Sequence, residues 1–291
     1  MDRTIEGAAS DKYEGVQDLT EDYGLQGKGL LWRIRSHGYV YRKDPSASPG
    51  THFYQYPNEV LDQVTLETEI FRLQIRDYGA AIVGNHGPDI KIHATGGLSG
   101  GDGYALLWNT GTPNPAAPTN LMTSNVEVYH STQQAGEPAN ALDWFEIFGV
   151  ADAATIASLA DVNSDTHRDT GAAMALTYIK PKDGLLQFRD YRSDTPENPG
   201  NKPVSGGGIL VVDGNMLVNN WNTNVFNGVI YVTGDLTVMS LTNFAGQFIV
   251  KGKIDWRPTD IEYNPAILQT IRMKLCQYRE RRSALRVMAE E

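Results

Sequence analysis

The sequence predicts a mainly β protein: a short parallel β-solenoid, or β-helix, with an N-terminal β-hairpin region and a C-terminal capping α-helix. Three observations support this fold. A short sequence motif occurs three times between residues 208 and 256. Apolar and polar residues alternate within each copy at the period of two that strands require. Strand patterns precede the repeat and a helical pattern follows it, as expected for a capped solenoid.

The three copies are GILVVDGNMLV, GVIYVTGDLTV and GQFIVKGKIDW. Each copy opens with a glycine and carries a second glycine six residues later. Glycine suits a corner between two short strands, because it accepts backbone angles that a Cβ forbids. We therefore predict structural roles for six glycines and assign no catalytic residue and no cofactor. These glycines are Gly208, Gly214, Gly228, Gly234, Gly246 and Gly252.

Four columns of equivalent positions are apolar in all three copies, and we expect each column to stack in a buried core. The columns are Leu210, Ile230 and Phe248; Val212, Val232 and Val250; Met216, Leu236 and Ile254; and Val218, Val238 and Trp256. The opposite side of the first strand is also apolar, for example at Val229 and Tyr231. We expect either the C-terminal helix or the N-terminal strands to cover that side.

Four segments follow from these patterns: a polar lead-in over residues 1–26, a β-rich region with one or two helices over 27–203, the solenoid over 204–262, and the helix over 263–291. Asn264 is a good helix cap, and apolar residues recur at helical spacing after it.

Within the β-rich region, alternating residues at 30–35 and 63–78 predict two strands joined by a long hairpin loop. The apolar phase slips between Ile70 and Phe71, which predicts a β-bulge. Residues 151–161 predict a helix. Short strand patterns between residues 79 and 130 would add one or two further coils.

Composition excludes several classes of function. The net charge is −10, which disfavours nucleic acid as a partner because phosphate binding needs a basic surface. The single cysteine, Cys276, rules out an internal disulfide. The sequence contains no apolar run of about 20 residues, the length a membrane-spanning helix needs.

Several segments together resemble PilX-like type IV pilus assembly proteins. They are RIRSHGYV and VTLETEI in the hairpin, GGGILVVDGNM and FNGVIYVTGDLTV in the repeat, and the closing IEYNPAIL. The resemblance implies a minor pilin-like protein at the bacterial cell surface, in the periplasm or outside the cell, whose partners are other pilus subunits or surface proteins. The N-terminal membrane helix of that family has no counterpart here, so membrane contact is expected only through a missing anchor.

One segment partly matches a calcium loop. Asp161, Asn163, Asp165 and Asp169 occupy positions 1, 3, 5 and 9 of the pattern, while Thr166 replaces the usual glycine. The twelfth position lacks the bidentate glutamate, so calcium is an incomplete candidate for a bound ion and a polar turn is the alternative. The six histidines show no metal-ligand spacing.

Together, the fold and the resemblance predict a non-enzymatic structural or adhesion protein. Its solenoid would serve subunit docking and loop display. Two alternatives stay open. One is a carbohydrate-binding or carbohydrate-cleaving solenoid, although the outward acids of the repeat, Asp213 and Asp235, stand apart from other acids. The other is a bactofilin-like scaffold that polymerises through the solenoid ends.

Overall fold

A computed structural model gives the fold of this mainly β chain. It describes residues 15–23, 25, 29–52, 55–92, 98–99, 104–110, 128–130, 142–165, 174–189, 205–219, 225–240, 244–257, 261–281 and 286–289.

Strands outnumber helices throughout these residues. The strands are β1 (Val16–Asp18), β2 (Leu31–Arg42), β3 (Glu59–Arg72), β4 (Ala80–His86), β5 (Ile90–Ile92), β6 (Leu98–Ser99), β7 (Tyr104–Thr110), β8 (Val128–His130), β9 (Val162–Ser164), β10 (Ala175–Ile179), β11 (Leu185–Arg189), β12 (Ser205–Val212), β13 (Asn215–Asn219), β14 (Val225–Val232), β15 (Leu236–Ser240), β16 (Phe244–Val250), β17 (Ile254–Trp256), β18 (Ile261–Glu262), β19 (Tyr278–Glu280) and β20 (Arg286–Ala289). The helices are α1 (Trp144–Phe148), α2 (Ala153–Leu159) and α3 (Pro265–Leu275), and a 3-10 turn covers Gly87–Asp89.

The chain divides into two compact units. The first unit comprises Met1–Arg72 and Tyr278–Glu291, and the second comprises Leu73–Gln277. This division differs from the predicted segments, because the last residues of the chain join the N-terminal hairpin in one unit.

The predicted C-terminal helix over 263–291 is too long. Helix α3 begins after its cap Asn264, whose side chain accepts the N–H groups of Ala266 and Ile267, and it ends at Leu275. Strands β19 and β20 follow and pair with β3. The helical pattern extended too far because Tyr278 keeps the helical spacing although it lies in a strand.

The first unit contains an antiparallel sheet centred on β3. Strands β2 and β3 form the predicted hairpin, with Leu31 opposite Phe71 and Arg42 opposite Glu59. The register shifts once, between Val40 and Tyr41. The bulge predicted between Ile70 and Phe71 is therefore wrong.

The apolar pattern of β3 led to a wrong prediction of a bulge because two acids of this strand point inward. Glu67 and Glu69 are 5% and 7% exposed, whereas Val64 and Leu66, on the other face, are 41% and 43% exposed. Arginines compensate the two buried carboxylates. The pairs are Arg35 Nε with Glu67 Oε2 at 2.6 Å, Arg33 Nε with Glu67 Oε1 at 3.4 Å, and Arg281 with Glu69 Oε2 at 3.1 Å. Burying a charge without such partners would cost several kcal/mol.

Two parallel sheets form the second unit. The strand order is β8-β7-β4-β16-β14-β12-β10-β9 in the first parallel sheet, where β18 also pairs with β16 and β6 with β18. The order is β11-β13-β15-β17-β5 in the second parallel sheet. The chain alternates between the sheets, and we call each consecutive strand pair a rung. The rungs are β4/β5, β10/β11, β12/β13, β14/β15 and β16/β17.

The register of the central rungs matches the alignment of the three sequence copies. Gly208 lies opposite Gly228, and Gly228 opposite Gly246. Val232 lies opposite both Val212 and Val250. All twelve residues of the predicted apolar columns are at most 1% exposed. Phe248 and Trp256, from the two sheets, meet edge to face at 5.2 Å, so the columns of both sheets share one core.

Rungs outside 204–262 extend this stack in both directions. Strand β10 pairs with β12 at one side, and β4 and β5 pair with β16 and β17 at the other. The order of rungs in the stack therefore differs from their order in the chain. Residues 79–130 contain β4, β5, β6, β7 and β8, of which β5, β7 and β8 coincide with the short strand patterns of the sequence.

Helices cover the outer side of the first parallel sheet. Helix α3 contacts β12, β14 and β16, as predicted for the C-terminal helix. Near α1, Tyr231 packs edge to face against Trp144 at 5.0 Å and Phe148 at 5.4 Å, and its hydroxyl donates to the Leu142 carbonyl at 2.8 Å. The predicted helix over 151–161 is α2, with Asp152 as its cap and Ile156 and Leu159 buried.

Backbone contact between rungs leaves no room for side chains at the glycine columns. A Cβ on Gly228 would collide with the Gly208 carbonyl. Gly184 provides a comparison in the same unit, because its φ is +69° but nothing lies within 4 Å of its added Cβ.

We expect Gly228→Ala to lower the free energy of unfolding by about 3 kcal/mol or more, since a collision with backbone cannot relax by a side-chain movement. Gly184→Ala, which introduces only backbone strain, is expected to cost about 1 kcal/mol. Urea unfolding followed by circular dichroism measures both. Equal losses for the two variants would contradict the steric account.

Among the described residues of the covered face, one polar side chain has no hydrogen-bond partner. Gln247 lies opposite Val229, is 0% exposed, and neither its Nε2 nor its Oε1 finds a partner. A buried unpaired amide is costly because its hydration is lost and not replaced.

We expect Gln247→Leu to raise the free energy of unfolding by about 1–3 kcal/mol, because it removes this desolvation penalty. Gln187→Leu is the control, since Gln187 is only half-buried, and it is expected to change stability by less than about 0.5 kcal/mol. Thermal unfolding of the three proteins provides the measurement. A destabilised Gln247→Leu variant would instead indicate a buried water bonded to the amide.

Candidate functional site

A polar groove lies on the outer face of the second parallel sheet. Its cavity volume is about 420 Å³. The polar groove is defined by six side chains from β5, β15, β17 and the residues just before them: Asp89, Lys91, Asp235, Thr237, Lys253 and Asp255.

Strand alternation explains why these polar residues share one face. Leu236, Ile254 and Ile90 are neighbours across the sheet, and all three are buried in the core. The residues beside them in sequence therefore point outward. Thr237 lies opposite Asp255, and Asp255 lies opposite Lys91.

Hydrogen bonds orient two of the carboxylates. Asp235 Oδ1 accepts the backbone N–H of Lys253 at 2.8 Å. Asp89 Oδ2 lies 3.1 Å from Nδ1 of His86. Within the described part of the chain, Lys91 and Lys253 form no ion pair. The groove thus combines oriented acceptors with ammonium groups that are available to a ligand.

Asp235 also belongs to a ladder of hydrogen bonds at the corner of successive rungs. Asn215 Oδ1 accepts the N–H of Asp235 at 2.7 Å, one rung before Asp235 accepts from Lys253. The side chain at this corner therefore bonds the backbone of the next rung. A lysine has no acceptor, so the ladder ends at Lys253.

We expect Asp235→Ala to lower the free energy of unfolding by about 1 kcal/mol, because the Lys253 N–H loses its acceptor. Asp235→Asn keeps an amide oxygen in the same place and is expected to be nearly neutral. Chemical denaturation distinguishes them. If Asn destabilises as much as Ala, the charge of Asp235 rather than its acceptor is the stabilising feature.

A second polar cluster surrounds Asp213 at the end of β12. Its carboxylate accepts from the Tyr178 hydroxyl at 2.8 Å and from the Thr233 hydroxyl at 3.2 Å, and Lys180 lies 3.5 Å away. Burial, reinforced by the bond to Asp213, raises the pKa of Tyr178. The phenol thus stays protonated at neutral pH and acts as a donor that holds the carboxylate in place.

The structure gives the calcium candidates other partners. Asp161 Oδ2 accepts the Leu176 N–H at 2.9 Å, Asn163 donates to the Ala157 carbonyl at 3.3 Å, and Asp165 lies 2.8 Å from Lys182 Nζ. The hydrogen bond from Lys182 lowers the pKa of Asp165. Asp169 lies outside the described residues. Across those residues, no cluster of three or more histidine, cysteine or acidic side chains is arranged to hold a metal ion.

We expect millimolar calcium to leave the thermal unfolding temperature unchanged, because Asp165 is paired with Lys182 and Asp161 with the backbone. Magnesium at the same concentration is the control. A ligand that binds only the folded state must raise that temperature, so a rise specific to calcium would establish the loop as a site.

Sequence reasoning identified Asp235 as an outward residue but missed the groove. The other five side chains complete it, and two of them, Asp89 and Lys91, come from a segment more than 140 residues earlier in the chain. The pattern Asp-Ile-Lys at 89–91 is the sequence signal for Asp89 and Lys91, since it predicts a strand with two outward charges.

Comparisons with protein-family models, curated proteins and solved structures returned no match to this chain. None of the helices within the described ranges has the length and apolar character needed to span a bilayer.

Proposed function

We propose that the rungs form a short parallel β-solenoid, and that the protein is a non-enzymatic structural or adhesion component of a bacterial type IV pilus-like system. The observation that carries this proposal is the in-register stacking of the five rungs. Their apolar columns fill a continuous core. Such a stack is a rigid scaffold on which connections between strands are presented.

The positions of those connections support a display role. Strands β11, β13, β15 and β17 are parallel neighbours, so their carboxyl ends lie along one edge of the second parallel sheet. The chain leaves this edge after each of these four strands, and also after β5. The connecting segments are polar and differ in length, from three residues after β15 to fifteen after β11. A series of unlike connections that start from one edge suits recognition of neighbouring subunits.

The ends of the first parallel sheet favour docking over self-polymerisation. Its terminal strands β8 and β9 have three residues each. Short edge strands limit pairing with another sheet. A bactofilin-like scaffold requires extended ends that stack, so that alternative has less support. The pilus system itself is proposed from the resemblance of the hairpin and repeat segments to PilX-like proteins.

Surface fractionation of the source bacterium tests the pilus proposal. Pili sheared from the cells and probed with an antibody against this chain are expected to contain it. A deletion strain is expected to carry fewer pili, and the reintroduced gene should restore them. A protein confined to the cytosolic fraction, with unchanged pilus number in the deletion strain, would overturn the proposal.

Light scattering of the purified chain tests the bactofilin-like alternative. The pilus proposal expects no growth of filaments as concentration rises. Filaments that lengthen with concentration would support the bactofilin-like scaffold instead.

A further inference from the structure

We propose that the polar groove binds a saccharide of one or two sugar units through hydrogen bonds to its hydroxyl groups. This proposal goes beyond the pilus proposal and does not depend on it, since the purified chain would bind the sugar without any assembly. It is carried by the juxtaposition of acids, cations and one hydroxyl around a single cavity.

The charges of the groove select the ligand class. Three carboxylates and two ammonium groups face one cavity, so a simple anion meets repulsion from the acids and a simple cation meets repulsion from the lysines. A sugar hydroxyl both donates and accepts hydrogen bonds. It can donate to Asp235 while a neighbouring hydroxyl accepts from Lys253 or Lys91.

The geometry also limits how the ligand lies. Asp235 is held by the Lys253 N–H through Oδ1, so its second oxygen is left for a ligand. Thr237, Asp255 and Lys91 follow one another across three neighbouring strands. Such strands are spaced about 4.8 Å apart, so polar groups repeat across the groove at short intervals. Hydroxyls distributed around a sugar ring match this arrangement better than a ligand with one charged group.

The size of the cavity is consistent with this class. Pockets that bind small ligands usually measure about 300–1,000 Å³, and the groove lies at the lower end of that range. Leu236 and Ile254, buried in the core beneath it, fix the outward positions of their neighbours, so the polar side chains are carried on rigid strands.

Saturation-transfer NMR on the full chain tests the proposal. The probes are glucose, galactose, N-acetylglucosamine and galacturonate, each at millimolar concentration, with inorganic phosphate as a separate arm. At least one sugar is expected to show transfer and to shift the methyl resonance of Thr237. A response to galacturonate alone would mean that the lysines hold its carboxylate. A response to neutral sugars would mean that hydroxyl contacts suffice. Both outcomes support a saccharide site.

The variant Lys91→Met with Lys253→Met keeps most of the side-chain volume and removes both donors. It is expected to weaken sugar binding by about tenfold or more, since a hydrogen bond to a charged group contributes at least that factor. Lys251→Met is the matched control, because Lys251 is exposed but does not line the groove. Thermal unfolding confirms that each variant is folded.

Three results would overturn the proposal. The first is no transfer to any of the four sugars in the native chain, and the second is equal transfer in the double variant and the control. The third is binding of phosphate without binding of a sugar, which would identify an anion site. The methyl shift of Thr237 in the native chain decides the matter if the double variant does not fold.

Discussion

Close backbone contact between successive rungs is the constraint on which the second unit depends. Strands in neighbouring rungs pair directly at Gly208, Gly228 and Gly246, and a side chain at the middle position would enter the carbonyl of the preceding rung. Because these glycines within the strands stay in register, the apolar residues that follow each glycine also stay in register. The buried columns, the outward polar positions and the groove all follow from this alignment.

The two units handle charge in different ways. In the second unit, acids sit on the outer face, where Asp235 bonds a backbone N–H and lysines lie beside it. In the first unit, Glu67 and Glu69 are buried and depend on arginines. Replacing a buried carboxylate would leave those arginines uncompensated, whereas the outer acids are solvated. The outer face is therefore the more tolerant of change, which is typical of a surface that acquires binding specificity.

Local periodicity allowed prediction of the central rungs and of helix α2, because both are built from neighbouring residues. The alignment on glycine places Val212, Val232 and Val250 in one column, and their pairing in the structure agrees. Two features could not be predicted in this way. The inward face of β3 carries Glu67, which becomes acceptable only beside Arg33 and Arg35 from another strand. The groove joins Asp89 and Lys91 to residues of β15 and β17, and no local pattern indicates that pairing.

The placement of β4 beside β16 has a consequence for how the chain acquires its fold. The early rung β4/β5 meets β16 and β17, which leave the ribosome more than 150 residues later. Until then β5 lacks β17, the strand it pairs with in the second parallel sheet. Bringing strands together across so many residues carries an entropic cost of loop closure. Contacts of long sequence separation also slow folding. Completion of the stack therefore waits for β16 and β17, and until they are synthesised nascent chains expose an unpaired apolar strand edge.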